Sequence, residues 1–516
     1  MTHKSLTERA AAYLGAARAS YAARAEASDL FLKDDRLIEE CGVFGIIGTE
    51  DAAALTALGL HALQHRGQEA AGITSCEADT KAFHSERHLG LVSDAFSDAD
   101  TLRRLPGYAA IGHTRYSTQG DTVLRNVQPL YADLDRCGIA IAHNGNLTNS
   151  LKLRTELVRD GCIFQSTSDS ELFLQLTARS RQVSIVDKFI DALKQVEGAY
   201  ALAFLTPHAL IGARDPVGIR PLILGELNGK PILTSETCAL DLIGAKYVRD
   251  VAPGEVVICK PNGEVESRQV FPLPARARLC IFELIYFAKP SSVVDGMNVY
   301  QIRKRLGEQL AREAPCKADI VSPIPDSGVP AAIGYAQTAG LPYEMALIRS
   351  HFVGRTFIEP QQKIREAGVA RKHAPNAALI KGKRVVLIDD SIVRGTTSRK
   401  ITTMMRNAGA KEVHMRVACP PIIHPDFYGI NTPSYGELIA ANMSLEEMRR
   451  EIGVDSLAFL SLDGLYKALE KGPRDAKAPA FTDHCFTGEY PTGLTDLADA
   501  DRNAMITQLS FLAETS

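Results

Sequence analysis

Two parts of the chain hold residues whose types and spacing could do chemistry. In the second half, Val385-Val386-Leu387-Ile388-Asp389-Asp390-Ser391-Ile392-Val393-Arg394-Gly395-Thr396-Thr397-Ser398 reads as a buried strand, two carboxylates at its carboxyl end, and a short loop ending at a helix start. Such a loop offers backbone N–H groups, hydroxyls and the positive end of a helix dipole, which together make a phosphate site. Asp389 and Asp390 would repel phosphate; they suit ribose hydroxyls, or Mg²⁺ held through water. A strand end with an N-capped helix is the bland alternative, but it leaves both halves of a sugar-phosphate site unexplained. In the first half, Cys41 follows Glu39-Glu40 and precedes Gly42-Val43-Phe44-Gly45-Ile46. Further clusters are His65-Arg66-Gly67-Gln68, Gly112-His113-Thr114-Arg115, His143-Asn144-Gly145-Asn146 and Ser168-Asp169-Ser170. Each alone reads as a turn or strand end. Together they supply a thiol nucleophile, an oxyanion hole from Asn144 and the Gly145 N–H, an Arg115 fork for a carboxylate and an Asp169 carboxylate for an ammonium. That set fits glutamine. A general base is missing, because no histidine-plus-acid arrangement is clearly linked to Cys41.

The elements that must position these residues differ between the halves. The chain has 516 residues, too many for one ordinary core, so two large domains are expected. From 41 to 275, short apolar runs alternate with turns and some helical stretches, an α+β or layered α/β pattern with much antiparallel sheet. From 276 to 470 the rhythm becomes strand, loop, helix, which means a parallel sheet flanked by helices, with ligands at strand carboxyl ends. Residues 1–40 read as a polar, Ala-rich helical leader, and 471–516 as a less regular tail. Net charge is −3, so no global basic field invites nucleic acid. The ten cysteines are scattered without a C-x-x-C pair, as expected of reduced thiols in a cytoplasmic protein. No apolar run reaches the length of a membrane span. The leader lacks a secretory apolar region and is too acidic for a transit peptide.

The 385–398 run resembles the signature of the type I phosphoribosyltransferases, which bind 5-phosphoribosyl 1-pyrophosphate (PRPP). The resemblance implies that Arg394, Gly395, Thr396, Thr397 and Ser398 hold the 5′-phosphate, and that Asp389 and Asp390 hold the ribose hydroxyls, with Ser391 between them. It implies a pyrophosphate loop at Pro323-Ile324-Pro325-Asp326-Ser327-Gly328, with Ser327 as a Mg²⁺ ligand beside Asp389 and Asp390. It also implies a closing lid over 349–373. There Arg355, Lys363, Arg371 and Lys372 form a basic run, with Gly354 and Gly368 permitting the segment to move, and Arg355 and Lys363 are expected to reach PRPP. The first-half clusters, with Arg214-Asp215-Pro216-Val217-Gly218-Ile219-Arg220, resemble the class II glutamine amidotransferases, whose glutaminase domain has the four-layer αββα fold of the Ntn hydrolases. In that family the cysteine is the first residue of the mature chain and its own α-amino group is the base. A free α-amino group titrates at about 7.7–8.0, near working pH; a peptide nitrogen has no such basicity. The resemblance therefore makes residues 1–40 a propeptide, removed to expose Cys41. It adds Arg66 to Arg115 and Asp169 as glutamine-binding residues.

The two halves together resemble the glutamine–PRPP amidotransferases, in which ammonia released from glutamine is carried to C1 of PRPP at the start of purine synthesis. Implied with it are Mg²⁺, inhibition by purine nucleotides, a homotetramer, a coupling role for Tyr286, and neither nucleic-acid nor membrane partners. Some members carry a [4Fe–4S] cluster on four cysteines. At the corresponding positions stand Cys280, Asp426, Thr482 and Cys485, so no cluster is expected. Two rival readings remain. One is a glutamine–sugar isomerising synthase, disfavoured by the 389–398 loop. The other is a PRPP-binding regulator with an inactive glutaminase, disfavoured by an intact Cys41, Arg115, Asn144, Gly145 and Asp169.

Overall fold

The structure, a computed structural model, describes residues 5–25, 38–39, 41–116, 123–135, 137–273, 277–349, 373–431 and 434–498. The first half is built on two antiparallel sheets. Seven strands run in the order Lys246–Asp250, Ile223–Leu227, Lys230–Thr234, Gly42–Ile47, Ala109–Arg115, Ala70–Cys76, Phe83–Leu89. Six run in the order Val265–Gln269, Glu255–Cys259, Leu210–Arg214, Gly198–Leu205, Gly138–Leu147, Leu130–Asp133. Small and β-branched side chains let the sheets face each other: Val43, Ile47 and Ile111 meet Ala140, Ala142, Ala201, Ala203 and Leu210 in one buried cluster. The strands Gly42–Ile47 and Gly198–Leu205 are buried at every position, because helices cover their outer faces. Ala52–Ala62 and Thr237–Ile243 pack on the first sheet, Glu171–Arg179 and Ile185–Leu193 on the second. This is the expected αββα sandwich.

The second half holds four parallel strands, Ile320–Pro323, Arg384–Asp389, Glu412–Val417 and Ser456–Phe459, adjacent in that order. The helix Val299–Glu313 packs on Val329–Ala339 so closely that a Cβ on Gly307 would lie 1.8 Å from the Ala331 carbonyl oxygen. Only glycine allows that approach.

Two segments behave differently from their sequence pattern. The leader helix Leu6–Ala25 is docked on the first half, with Ala10, Ala11 and Leu14 buried and Tyr13 edge-on to the His61 ring at 5.5 Å. Ile38–Glu39 pairs antiparallel with Ile430–Asn431 of the second half. The described part of the expected tail is also not a loose end. Thr482 bridges to Cys280. Asp496 accepts from the N–H groups of Leu151 (2.9 Å) and Lys152 (3.1 Å) at the start of the helix Ser150–Arg159. It thus satisfies donors that a helix N-terminus leaves orphaned. No helix among the described residues is long and apolar enough to cross a membrane.

Candidate active site

Cys41 lies just before Gly42–Ile47, the central strand of the first sheet, with φ of +90°. That is a sparsely populated region for a residue with a Cβ. Its nitrogen, a peptide nitrogen while Glu40 is attached, donates to the Arg66 carbonyl at 3.0 Å. Gly42 N donates to Thr114 Oγ1 (3.1 Å), which ties the nucleophile's strand to the end of Ala109–Arg115. Across the sandwich, His113 Nε2 meets the His143 carbonyl at 3.0 Å. This brings the end of the first sheet against Asn144 and Gly145 of the second. Burial lowers the His113 imidazole to about 3, assisted by Arg115, so it is neutral here and donates.

Asn144 is 1% exposed, and among the described residues neither its Oδ1 nor its Nδ2 has a hydrogen-bond partner. A buried amide without partners costs about 1–3 kcal/mol. That cost is recovered when an oxyanion accepts from Nδ2. Gly145 has φ of +137°, and a Cβ there would lie 2.1 Å from the Ala199 carbonyl oxygen, so glycine is required. Replacing Asn144 by alanine is expected to lower kcat for glutamine hydrolysis about 10²–10³-fold with little change in KM; steady-state glutaminase kinetics check this.

Asn126 links Arg115 to Thr167, two residues before Asp169. Arg115 Nη1 donates to the Asn126 carbonyl (3.0 Å), and Asn126 bonds Thr167 through Nδ2 (2.9 Å) and Oδ1 (3.0 Å). Asp169 Oδ2 accepts from Leu147 N at 2.9 Å.

Arg66 has a different place from the one expected. It is fully buried; Nε donates to the Cys41 carbonyl (3.2 Å), Nη1 to Glu236, and Nη2 to Glu283 at 2.8 and 3.0 Å. With every guanidinium nitrogen so engaged, Arg66 orients Cys41 and is no fork for glutamine. Glu283 also accepts from Arg220 Nη1 (3.2 Å), whose Nε donates to the Tyr428 carbonyl (3.0 Å). Burial pushes the Glu236 carboxyl up, but His65 and Arg66 overcome it and hold the group well below the usual range. Arg66, Arg220, Glu236 and Glu283 thus form one buried network of charged side chains. They run from the nucleophile, through the linker turn Glu283–Phe287 that carries Tyr286, to the second half. Sequence reasoning missed Glu236 and Glu283 as site residues; the one available signal was Arg220, within the 214–220 motif.

In the second half, Asp389 closes the strand Arg384–Asp389, and both aspartates are largely buried. Asp390 N donates to Asp389 Oδ1 (3.1 Å), and Ser391 Oγ to Asp390 Oδ1 (2.7 Å). Gly395, at φ +79°, turns the chain into the helix Thr396–Asn407, whose first turn carries Thr396, Thr397 and Ser398. Arg394 Nε donates to Glu437 at 3.2 Å on the rim. The neighbouring strand delivers the 324–328 loop to the same edge, where Ile324 N donates to the Ile388 carbonyl at 2.8 Å. Ser327 Oγ is buried there without a partner among the described residues. Two carboxylates and an unsatisfied hydroxyl are hard oxygen donors, and they fit Mg²⁺. Arg355, Lys363, Arg371 and Lys372 lie outside the described residues.

A glutamine amidotransferase domain model matches residues 113–241, and a phosphoribosyl transferase domain model matches 291–424. Amidophosphoribosyltransferase of Rhizobium etli is 59% identical over 486 residues, 93% of this chain and 97% of that protein. The chain belongs to the amidophosphoribosyltransferase family. Bacillus subtilis amidophosphoribosyltransferase is 46% identical over 88% of this chain and 95% of its own. The solved glutamine PRPP amidotransferase from B. subtilis, complexed with ADP and GMP, superposes with a TM-score of 0.82 at 45% identity, covering 88% of this chain and 98% of that one. The order of the two domains along the chain is that of an amidophosphoribosyltransferase. The residues at the cluster positions of some members of this family do not fit a Cys₄-bound [4Fe–4S] group. Thr482 Oγ1 donates to the Arg278 carbonyl (2.6 Å), and Asp426 Oδ1 accepts from Tyr428 N (2.7 Å) and Ile430 N (2.8 Å).

Proposed function

We propose that this chain transfers ammonia from glutamine to C1 of PRPP, giving 5-phosphoribosylamine, pyrophosphate and glutamate, the first committed step of purine synthesis. The observation that carries this reading is the buried path Cys41–Arg66–Glu283–Arg220–Tyr428, which joins the glutaminase half to the phosphoribosyl half in one packed unit. Once residues 1–40 are removed, the α-amino group of Cys41 takes the thiol proton as Sγ attacks the glutamine carboxamide. Asn144 Nδ2 and Gly145 N–H stabilise the oxyanion. The same amine returns the proton to the leaving ammonia, and water then hydrolyses the thioester to glutamate. Arg115 and Asp169 hold the α-carboxylate and α-ammonium.

At the second site ammonia displaces pyrophosphate from C1. The Thr396–Ser398 turn binds the 5′-phosphate, and Asp389 and Asp390 bind the ribose hydroxyls. Ser327, Asp389 and Asp390 would hold Mg²⁺, which when bound supplies charge neutralisation for the departing pyrophosphate. Arg355 and Lys363 add cations from the lid. Purine nucleotides inhibit, and the working form is a homotetramer in the cytoplasm. The relatives give no support to the reading as a regulator with an inactive glutaminase.

Glutaminase activity measured with and without PRPP tests the coupling. The expected result is strong stimulation by PRPP, with glutamate and pyrophosphate formed one to one. Equal glutaminase rates with and without PRPP would contradict it.

A further inference from the structure

Where the linker, the second half and the closing segment meet, Asp426, His484 and Cys485 are all buried, and one donor atom from each lies within 4.8 Å of the others. His484 Nε2 is 2.8 Å from Asp426 Oδ2 and 3.3 Å from Cys485 Sγ. Asp426 is oriented from behind by the two backbone N–H groups on its Oδ1. The N–H groups of Ile423 and His424 donate to the Cys485 carbonyl, at 3.0 and 3.1 Å, and lock the two segments together.

An aspartate–histidine ion pair would explain two of these three donors. It leaves the Cys485 thiol, 3.3 Å from the same nitrogen, outside the pair. A buried ion pair is also weak as a stabilising device. A cation between the three donors serves all of them. Mixed N, O and S donors select zinc over Mg²⁺ or Ca²⁺, and the backbone bonds to Asp426 are the outer support that metal ligands need.

We propose that Asp426, His484 and Cys485 bind one zinc ion through three protein ligands. Its role is positional. Tyr428 and Gly429 follow Asp426 directly; Tyr428 accepts from Arg220, and a Cβ on Gly429 would lie 3.1 Å from the Gly145 Cα. The ion thus fixes the second half against the oxyanion-hole glycine.

Elemental analysis of the full-length protein, purified without metal-affinity resin or chelator, tests this. About one zinc per chain is expected, falling at least about tenfold in His484→Gln and Cys485→Ser. Should these variants not fold, cobalt(II) exchanged into the unmodified protein decides the matter, by a thiolate-to-cobalt charge-transfer band. Zinc far below one per chain, a zinc content unchanged in both variants, no charge-transfer band, or another metal in its place, including iron with acid-labile sulfide, would overturn the proposal.

Discussion

Cys41→Ala is expected to abolish glutamine-dependent synthesis of 5-phosphoribosylamine while leaving synthesis from added ammonia close to that of the unmodified enzyme. The loss should be on the order of 10⁴–10⁶-fold, the scale seen when a covalent nucleophile is removed. The separation of the two activities follows from geometry. Cys41 leads into the central strand of one sheet of the antiparallel sandwich, whereas the 389–398 loop belongs to the parallel sheet of the second half. The substitution removes one sulfur from a buried position and leaves Arg66, Glu236 and Glu283 paired. Stability should therefore change little, and thermal unfolding beside the two assays checks that. A variant that still used glutamine at the full rate would show that another group is the nucleophile.

The double substitution Asp389→Asn/Asp390→Asn is expected to impair synthesis from glutamine and from ammonia alike. Both nucleophile and oxyanion hole remain, but the acceptors for the ribose hydroxyls lose their charge. A hydrogen bond to a charged group contributes about 1.5–3 kcal/mol, and two such losses predict a fall of about 10²–10⁴-fold in kcat/KM for PRPP with either nitrogen donor. Asparagine keeps the shape of the strand end, and its carbonyl can still accept from Asp390 N and Ser391 Oγ at the bonds now made by the carboxylates. The fold should survive. Initial rates against PRPP concentration, with ammonia as the nitrogen source, measure the effect. Equal losses with ammonia and glutamine would place it at the second site.

The legibility of the site in the sequence differed with the distance between its parts. The 389–398 loop was readable because strand, acids, glycine and hydroxyls are contiguous, and backbone geometry alone places them at one sheet edge. Asn144 and Gly145 were readable as neighbours, though their relation to Cys41 needed a resemblance, because two sheets and the His113–His143 bond bring them together. Arg66 was misread. Its partner Glu283 lies 217 positions away, and no local pattern reveals that a buried guanidinium has its nitrogens committed. The docking of the leader and of residues 471–498 was invisible for the same reason. Ile38–Glu39 finds its partner strand at 430–431, and Asp496 caps a helix that begins at Ser150. The αββα layering was implied by the family resemblance, while the parallel sheet was announced by strand–loop–helix alternation.

The leader gives the central claim its sharpest form. With Glu40 attached, the Cys41 nitrogen is a peptide N–H that donates to the Arg66 carbonyl; its lone pair is delocalised into the Glu40 carbonyl and does not take up a proton. Leader strand Ile38–Glu39 also lies paired to the segment whose Gly429 abuts Gly145. On the proposed mechanism, removal of residues 1–40 precedes glutamine chemistry. The direct measurement is intact mass and N-terminal residue on protein whose glutamine-dependent activity is assayed in the same sample. The account predicts that active enzyme begins at Cys41 and that activity rises in proportion to the cleaved fraction. Full glutamine-dependent activity in a chain that still begins at Met1 would contradict it.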